Sequence, residues 1–285
     1  MPNALPPSPN DDLPFHHYTL KHRVIAWISK TLFDNVSYTV HNGLLQGMKR
    51  KGGLGWVPAF AVSGGQTKEH LFWRNLDLRG KVVYDIGAFH GLLSLYFSRM
   101  ARQVIAYEPN RRNQRRLAEN LALNRIANVR VRPVGIGSAP QVATMVSMPL
   151  MPGGASIEQN TKEQLLRSHQ DAVTEEIELT TLDLEITSGM PVPDFVKIDI
   201  EGWELEALRG AREMLTAHRP ALFLEMHGET LNEKRRKVTE IVSYLWNLGY
   251  TNIRHVETDT AIAPENALVA VEGHLYCPSR DGTLN

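Results

Sequence analysis

A glycine-rich turn is the first feature of the sequence that suggests chemistry. It lies within VVYDIGAFHG, residues 82–91, where Asp85, Gly87 and Gly91 follow an apolar run and precede a predicted helix. Glycines in a strand-to-helix turn let the backbone approach a ligand closely, and the start of the helix offers free amides to an anion. The next apolar run ends at Glu108, where a carboxylate can accept hydrogen bonds from both ribose hydroxyls. These two features predict a binding site for a nucleotide-like cofactor.

The acidic residue in this turn favours one cofactor of that kind. A dinucleotide fingerprint has the spacing Gly-x-Gly-x-x-Gly, which lets the pyrophosphate lie against bare backbone. Here Asp85 occupies the first glycine position and His90 the third. A carboxylate would repel a pyrophosphate, whereas it would stabilise the ammonium and sulfonium of S-adenosylmethionine. The turn therefore favours S-adenosylmethionine over NAD.

A second group of ionisable residues follows the apolar run near position 195. The segment DFVKIDIEGWELEALRGA, residues 194–211, carries Lys197, Asp199 and Glu201 in or directly after this run. Buried charges are costly unless they are paired or used. For Lys197 we predict an ion pair with Asp199 or Glu201. Asp199 is a candidate site residue, because ligands in open α/β sheets bind beyond the carboxyl ends of the strands.

The segment ALFLEMHGE, residues 221–229, is also an apolar run that ends in ionisable residues. Alternation along a strand places Glu225 and His227 on one side of it. The carboxyl ends of parallel strands meet at one edge of a sheet. We therefore predict that Asp199, Glu201, Glu225 and His227 converge on one crevice.

The elements that must position these residues alternate along the chain. Buried strands separated by helical segments indicate a doubly wound α/β domain with a parallel sheet. The predicted strands are 82–86, 104–107, 129–134, 194–200 and 221–226, and the predicted helices are 91–100, 111–123, 203–217 and 233–247. Two further strands, at 250–256 and 268–277, have no helix between them and predict an antiparallel pair.

The chain before this domain has a different character. Five prolines among the first fourteen residues predict a disordered tail at 1–14. Apolar residues at helical spacing, interspersed with lysine and arginine, predict a basic amphipathic helix at 18–33. The alternatives for this helix are packing against the main domain, a lid over the acceptor pocket, a dimer interface and contact with a membrane surface.

Two shorter features complete the segment before the domain. The glycine-rich stretch at 41–58 predicts loops or a hairpin, and 68–76 a helix. We accordingly expect an N-terminal extension of helix, loop and hairpin at 15–80, and a cofactor-binding domain at 81–285.

Composition excludes several classes of protein. Lys plus Arg and Asp plus Glu both number 31, so the formal net charge is zero and any charged partner must meet a local patch. Nucleic acid is therefore not an expected partner. No stretch approaches the ~18 consecutive apolar residues of a membrane span, and the N-terminus lacks a signal-peptide core. The single cysteine, Cys277, fits a reducing compartment, which predicts a cytoplasmic location.

The segment from about 81 to 228 resembles the FkbM-type methyltransferases, which are similar to the wider class I S-adenosylmethionine-dependent methyltransferases. The segments that carry the resemblance, in matching order and spacing, are VVYDIGAFHG, VIAYEPN, NVRVRPVGIGS, TTLDL, VKIDIEGWELEALRGA and PALFLEMHG. The resemblance implies a Rossmann-like seven-stranded sheet with its last strand antiparallel. It also implies O-methylation of a hydroxyl, often on a sugar or other natural-product scaffold.

We therefore expect a methyltransferase that uses S-adenosylmethionine and a small-molecule hydroxyl acceptor, with glycolipids among the candidate acceptors and a homo-oligomer as one option. The expected cofactor contacts are Asp85, Gly87, Ala88, Phe89, His90, Gly91, Glu108, Pro109, Gly135 and Asp199. The alternatives are a non-catalytic binding or scaffold protein with a cofactor fold, and an NAD-dependent oxidoreductase.

Methyl transfer to an unactivated alcohol needs help with the alcohol's proton. The proton must pass to a base, or a bound cation must acidify the hydroxyl. We predict His227 or Asp199 as the base, with Glu201 as a third catalytic residue. The alternative is a magnesium-like ion held by the carboxylates of Asp199, Glu201 and Glu225. This alternative is less favoured, because acids near one crevice are more often hydrogen-bonded structure than a metal site.

Overall fold

The computed structural model describes residues 33–52, 67–147, 155–157, 172–228 and 230–280. The predicted tail at 1–14, and all of the predicted helix at 18–33 except Phe33, lie outside these residues. The described strands are β1 Ser37–Thr39, β2 Lys49–Lys51, β3 Val82–Ile86, β4 Gln103–Tyr107, β5 Val129–Arg132, β6 Gly135–Ile136, β7 Gln141–Ser147, β8 Ala155–Ser156, β9 Val173–Thr180, β10 Phe195–Ile198, β11 Ala221–Glu225, β12 Ile253–His255, β13 Thr260–Ile262 and β14 His274–Cys277. The described helices are α1 Lys68–Asn75, α2 Leu92–Ser98, α3 Arg111–Leu123, α4 Leu182–Thr187, α5 Glu204–Arg209, α6 Arg212–His218, α7 Leu231–Asn247 and a 3-10 helix at Pro264–Ala270.

The main sheet has the strand order β13-β12-β14-β11-β10-β3-β4-β5. Strands β11, β10, β3, β4 and β5 are parallel, and β14 runs antiparallel between β11 and β12. The predicted α/β class is confirmed, and so is the antiparallel last strand. The short strand β13 extends the expected seven strands to eight, because it forms an antiparallel hairpin with β12 at the sheet edge.

Helices cover both faces of this sheet. The central strands β3 and β10 are buried along their whole length, as expected for a parallel sheet between two helical layers. One core contains Val82 and Tyr84 together with residues of α6 and α7. The other contains Val83, Trp73 of α1 and Leu117 of α3. Among the described helices, none is long and apolar enough to cross a membrane.

The predicted helix at 203–217 is instead two helices, α5 and α6. The break falls at Gly210, whose carbonyl accepts a hydrogen bond from the amide of Asp183. The carboxylate of Asp183 in turn accepts the amides of Glu213 and Met214, which caps the start of α6. A Cβ on Gly210 would lie 2.0 Å from the carbonyl oxygen of Gly137, so the chain turns here at a close backbone contact.

A smaller four-stranded sheet, with the order β6-β9-β7-β8, lies between β5 and α4 in the sequence. The sequence analysis did not predict its long strands β7 and β9. Much of the chain between these two strands, at 148–154 and 158–171, lies outside the described residues. Its strand β9 contacts the start of α3, where the side-chain amide of Asn110 donates to Glu175 at 3.3 Å. This sheet therefore borders the segment that follows Glu108.

Candidate active site

The turn after β3 is held tightly against two neighbouring strand ends. The amides of Gly87 and Ala88 both donate to the carbonyl of Tyr107 at 3.0 Å. Gly87 has a φ of +77°, in the region that favours glycine. A Cβ at this position would lie 1.8 Å from the carbonyl oxygen of Asp199. The turn therefore touches the carboxyl end of β10, where the second group of candidate residues begins.

Glu108 fixes the other side of this turn. Its Oε2 accepts the amide of Phe89 at 2.8 Å, and its Oε1 accepts the amide of Asn110 at 2.9 Å and the side-chain amide of Asn113 at 3.3 Å. Burial raises the pKa of Glu108, and these donors partly offset the effect. An ionised carboxylate oxygen has two lone pairs. Because Oε2 accepts one of these bonds, it keeps capacity for a hydroxyl donor.

The remaining predicted cofactor residues surround this turn. The rings of Phe89 and His90 stack with centroids 3.8 Å apart. Burial lowers the pKa of His90 to about 4, and nearby arginines add to the effect, so this imidazole is neutral at physiological pH. Gly91 ends the turn with a φ of +81°. Gly135 and Pro109 lie against each other, and a Cβ on Gly135 would be 3.5 Å from the Pro109 ring.

Asp85 lies below the turn, with only 1% of its surface exposed. Its Oδ2 accepts the hydroxyl of Ser94 at 2.5 Å, and its Oδ1 is 3.4 Å from Nζ of Lys197. Lys197 is also 3.0 Å from Oδ2 of Asp199 and donates to the carbonyl of Gly87 at 3.0 Å. The predicted ion pair of Lys197 is thus made with Asp199, and with Asp85 in addition. Two carboxylates share one ammonium, which leaves one negative charge beside the turn.

The structure brings the four predicted crevice residues together, with three carboxylates around the imidazole of His227. Nε2 of His227 lies 3.8 Å from Asp199, 3.6 Å from Glu201 and 3.6 Å from Glu225. The other ring nitrogen, Nδ1, is 2.9 Å from Oε1 of Glu204, at the start of α5. His227 therefore bridges a buried carboxylate on one side and three partly exposed ones on the other.

Glu204 is the member of this site that the sequence analysis missed. It is 1% exposed, and its Oε1 also accepts the amide of Gly202 at 3.0 Å. Burial opposes the ionisation of Glu204, but His227 outweighs it and lowers the pKa. The sequence signal is the spacing of Glu201 and Glu204, three residues apart where a strand passes into a helix. That spacing alone does not show that one carboxylate is buried and the other faces the crevice.

Charge in the crevice assigns different protonation states to His227 and Glu201. Burial alone would lower the pKa of His227, but Glu204, Glu201 and Asp199 together raise it to about 10. Burial raises the pKa of Glu201 to about 7; His227 opposes the shift, and the neighbouring carboxylates add to it. Glu201 also has a φ of +53°, a strained conformation for a residue with a side chain. At neutral pH His227 is a cation, and Glu201 is poised to exchange a proton.

The carboxylates around His227 and its Nε2 atom are also possible ligands of a metal ion. Asp199, Glu201 and His227 offer ligand atoms within 4.8 Å of one another, whereas Glu225 falls outside this group. A metal would need the lone pair of Nε2 and would have to displace its proton, which the raised pKa of His227 opposes. The imidazolium already supplies positive charge to these carboxylates, so the geometry fits a protonated histidine better than a resident cation.

The protonated His227 predicts a pH dependence of folding. A histidine whose pKa is raised by folding contributes stability that is complete below its unfolded pKa, near 6.5, and is lost as pH rises through its folded pKa of about 10. We expect His227→Gln to remove on the order of 2 kcal/mol of pH-dependent stability between pH 6 and pH 9. Urea unfolding at several pH values measures this difference. The exposed His218 at the end of α6 gives the control variant His218→Gln, and equal pH slopes in both variants would contradict the assignment.

Known proteins match the part of the chain that builds this site. The family model described as "Methyltransferase FkbM domain" matches residues 85–251. Methyltransferase sdnD of Sordaria araneosa is 29% identical over 156 residues, which cover 46% of this chain and 60% of that protein. Methyltransferase 1 of Beauveria bassiana (strain ARSEF 2860) is 26% identical over 143 residues, covering 45% and 57%. The matches thus span about 60% of the length of these curated relatives.

A solved structure of methyltransferase FkbM from Methylobacillus flagellatus KT is similar over 70% of this chain and 43% of that chain, with 19% identity and a TM-score of 0.45. The family model spans more than half of the sequence, from the acid of the glycine turn to the segment directly after α7. It includes Asp85, Glu108, Asp199, Glu201 and His227. The chain therefore belongs to the FkbM methyltransferase domain family.

Proposed function

We propose that this chain is an S-adenosylmethionine-dependent O-methyltransferase. Its acceptor is a hydroxyl of a small molecule, with a sugar, a natural product or a glycolipid as the candidate scaffold. The observation that carries the proposal is the contact between Gly87 in the glycine turn and Asp199 at the end of β10. Because of this contact, a cofactor on the turn and a hydroxyl in the carboxylate crevice would share one sheet edge. Family membership supports the same reaction class.

The residues around the turn fit the cofactor. Glu108 keeps an acceptor position on Oε2 for a ribose hydroxyl. The amides of Gly87, Ala88 and Phe89 already donate to protein acceptors, so these amides do not need a phosphate as a partner. The net negative charge of Asp85, Lys197 and Asp199 matches the ammonium of the cofactor's amino-acid end. When bound, S-adenosylmethionine supplies an electrophilic methyl group. The protein's part is then to hold the acceptor oxygen in line and to take its proton.

For the proton, Glu201 is a better candidate than His227. An effective base has a pKa near the working pH, and the pKa of Glu201 is about 7. His227 carries a proton already, because its pKa is about 10. In this proposal Glu201 accepts the hydroxyl proton as the carbon–oxygen bond forms, while His227 and its partner Glu204 hold the surrounding carboxylates in place.

Titration calorimetry of the purified chain with S-adenosylhomocysteine, with NADH in parallel, tests the proposal. We expect micromolar binding of S-adenosylhomocysteine and a loss of at least tenfold in Glu108→Ala, because the ribose hydroxyls lose a charged acceptor. Glu108→Gln keeps the shape of the side chain and should lose less. Glu213→Ala, an exposed glutamate on α6, should bind like the wild type.

The alternative functions give different results in the same experiment. Binding of NADH instead would favour an oxidoreductase. Binding of neither ligand would favour a scaffold protein and would end the methyltransferase proposal. Where S-adenosylhomocysteine binds, transfer of a labelled methyl group from S-adenosylmethionine to a panel of glycosylated and lipid-linked alcohols identifies the acceptor. Transfer only to amines or thiols would contradict O-methylation.

A further inference from the structure

A concentrated basic surface lies beside the glycine turn, although the whole chain has no net charge. We call it the basic face. Its members are Lys49, Arg50 and Lys51 of β2, Arg111, Arg112, Arg115 and Arg116 of α3, and Arg125 just after α3. From this surface we propose that the protein binds membranes that contain anionic lipids, with the acceptor presented at that membrane. The choice of acceptor rests on the proposed function, whereas membrane binding does not.

The fold assembles the basic face from two distant stretches of sequence. The amide of Lys51 donates to Oδ1 of Asn120 at 2.9 Å, and the amide of Lys49 donates to Oδ1 of Asn124 at 2.8 Å. The side-chain amide of Asn124 returns a hydrogen bond to the carbonyl of Lys49 at 2.7 Å. The side chains of Asn120 in α3 and Asn124 directly after it thus bind the edge of β2. These bonds to the backbone of β2 fix the two basic stretches to each other.

The carboxylates on this surface do not balance its cations. Three carboxylates form ion pairs with members of the face: Asp34 with Arg116 at 3.0 Å, Glu119 with Lys51 at 2.8 Å, and Glu175 with Arg111 at 3.3 Å. Among the described residues, no carboxylate forms an ion pair with Lys49, Arg50, Arg115 or Arg125, so at least four cations of the basic face are not offset by an acidic partner. Such an excess on one side of a neutral molecule creates a local positive potential.

One cation of the basic face has a buried donor atom without a partner. Among the described residues, no acceptor lies within hydrogen-bond distance of Nε of Arg50. Burial lowers the pKa of Arg50, and the nearby Arg116 lowers it further. A buried donor without a partner costs free energy. A lipid phosphate near this partly exposed side chain would stabilise its positive charge, while Nε itself stays shielded from solvent.

The basic face also has the right position for a membrane-borne acceptor. Arg111 begins α3 three residues after Glu108, at the edge of the sheet where the cofactor turn lies. The side-chain amide of Asn120, which holds β2, also donates to the carbonyl of His90 in the turn at 2.9 Å. Docking through this face would therefore hold the turn and the crevice near the lipid headgroups, where an amphiphilic alcohol resides.

Two observations favour a membrane over a nucleic acid. Proteins that bind single-stranded nucleic acid use exposed aromatic rings for stacking, and the exposed large apolar side chains in the described part of the chain are all aliphatic. In addition, the sequence at 18–33, directly before Asp34, combines apolar residues at helical spacing with basic residues. This is the composition of helices that lie in a membrane interface. A lipid surface is the partner that matches both the charge and this pattern.

Vesicle co-sedimentation of the full chain tests the inference. The probes are vesicles of phosphatidylcholine alone and vesicles with one quarter phosphatidylglycerol. We expect binding to the anionic vesicles only, and weaker binding at high salt, because salt screens exposed charges. Each basic residue near an anionic surface contributes about 1 kcal/mol, about fivefold in affinity. The triple variant Lys49→Gln, Arg111→Gln, Arg115→Gln should therefore bind about 100-fold more weakly.

A matched control lies on the other side of the sheet. The triple variant Arg212→Gln, Arg235→Gln, Arg236→Gln removes the same charge from α6 and α7, whose apolar residues belong to the opposite core, and should bind vesicles like the wild type. Equal losses in the two triple variants, binding to neutral vesicles, or binding only to a single-stranded oligonucleotide would each overturn the inference. Calorimetry of the same variants with S-adenosylhomocysteine separates this outcome from failure of the proposed function, since neither variant should change cofactor binding.

Discussion

Gly87→Ala should reduce binding of S-adenosylhomocysteine at least 100-fold and destabilise the fold. The added methyl group would lie 1.8 Å from the carbonyl oxygen of Asp199, far inside van der Waals contact. The atoms it meets are backbone and cannot rotate away. The positive φ of Gly87 adds about 1 kcal/mol of strain for any side chain. To accommodate the methyl group, the turn must separate from the end of β10, which displaces the backbone predicted to contact the cofactor.

Gly80→Ala provides the matched control for this variant. Gly80 has a similar φ of +74°, but no atom lies within 4 Å of the position that its Cβ would occupy. Its substitution therefore reports the strain of the positive φ without the collision. We expect a loss of about 1 kcal/mol in stability for Gly80→Ala and no change in ligand affinity. Calorimetry and thermal unfolding of both variants measure the difference, and similar behaviour of the two would show that the contact at Asp199 is not essential.

The positions of the main elements could be predicted because parallel strands bury both faces. Continuous apolar runs mark such strands, and β3 occupies Val82–Ile86 as predicted. The strand ends then predict the site, because they all lie at one sheet edge. That rule alone predicts that Asp199 and His227 meet in one crevice.

The protonation of the crevice could not be predicted from residue types. A histidine has an ordinary pKa near 6.5, which made His227 an expected base. The sequence does not show that Glu204 turns inward and binds Nδ1, or that three carboxylates face Nε2. These contacts depend on the short link between β10 and α5. Their combined charge makes the histidine a cation, and for this reason we propose Glu201 as the base.

The neighbours of a buried side chain could not be predicted from the sequence either. Alternation places Asp85 on the same face of β3 as Val83, but does not show which neighbour fills that face. In the structure Lys197 does so from β10, and Asp85 is buried beneath the turn with it. The strands β7 and β9 were missed for a related reason. Both are largely exposed, so their apolar residues form no continuous run.

Glu201→Gln should lower kcat for methyl transfer by a factor of about 10² to 10⁴, the range for loss of a general base. The amide keeps the size of the side chain but cannot accept the hydroxyl proton. Affinity for S-adenosylhomocysteine should stay within about twofold, because Glu201 faces the acceptor crevice. The measurement is the rate with saturating acceptor, once the panel of alcohols has identified one. Glu206→Gln, on α5 where Glu206 pairs with Arg209, should keep the wild-type rate.

The pH profile of the same reaction distinguishes a base from a residue that only holds the site together. Burial, together with the charges of His227, Asp199, Glu225 and Glu204 around the side chain, sets the pKa of Glu201 at about 7. Since the ionised form is the active one, the wild-type kcat/KM, which reports groups of the unliganded enzyme, should rise with pH through about 7 and then level off. His227 titrates only near pH 10 and stays charged across this window. In Glu201→Gln the residual rate should lose that rise. If the rise persists in Glu201→Gln but disappears in Asp199→Asn, the base is Asp199, and Glu201 serves to position it.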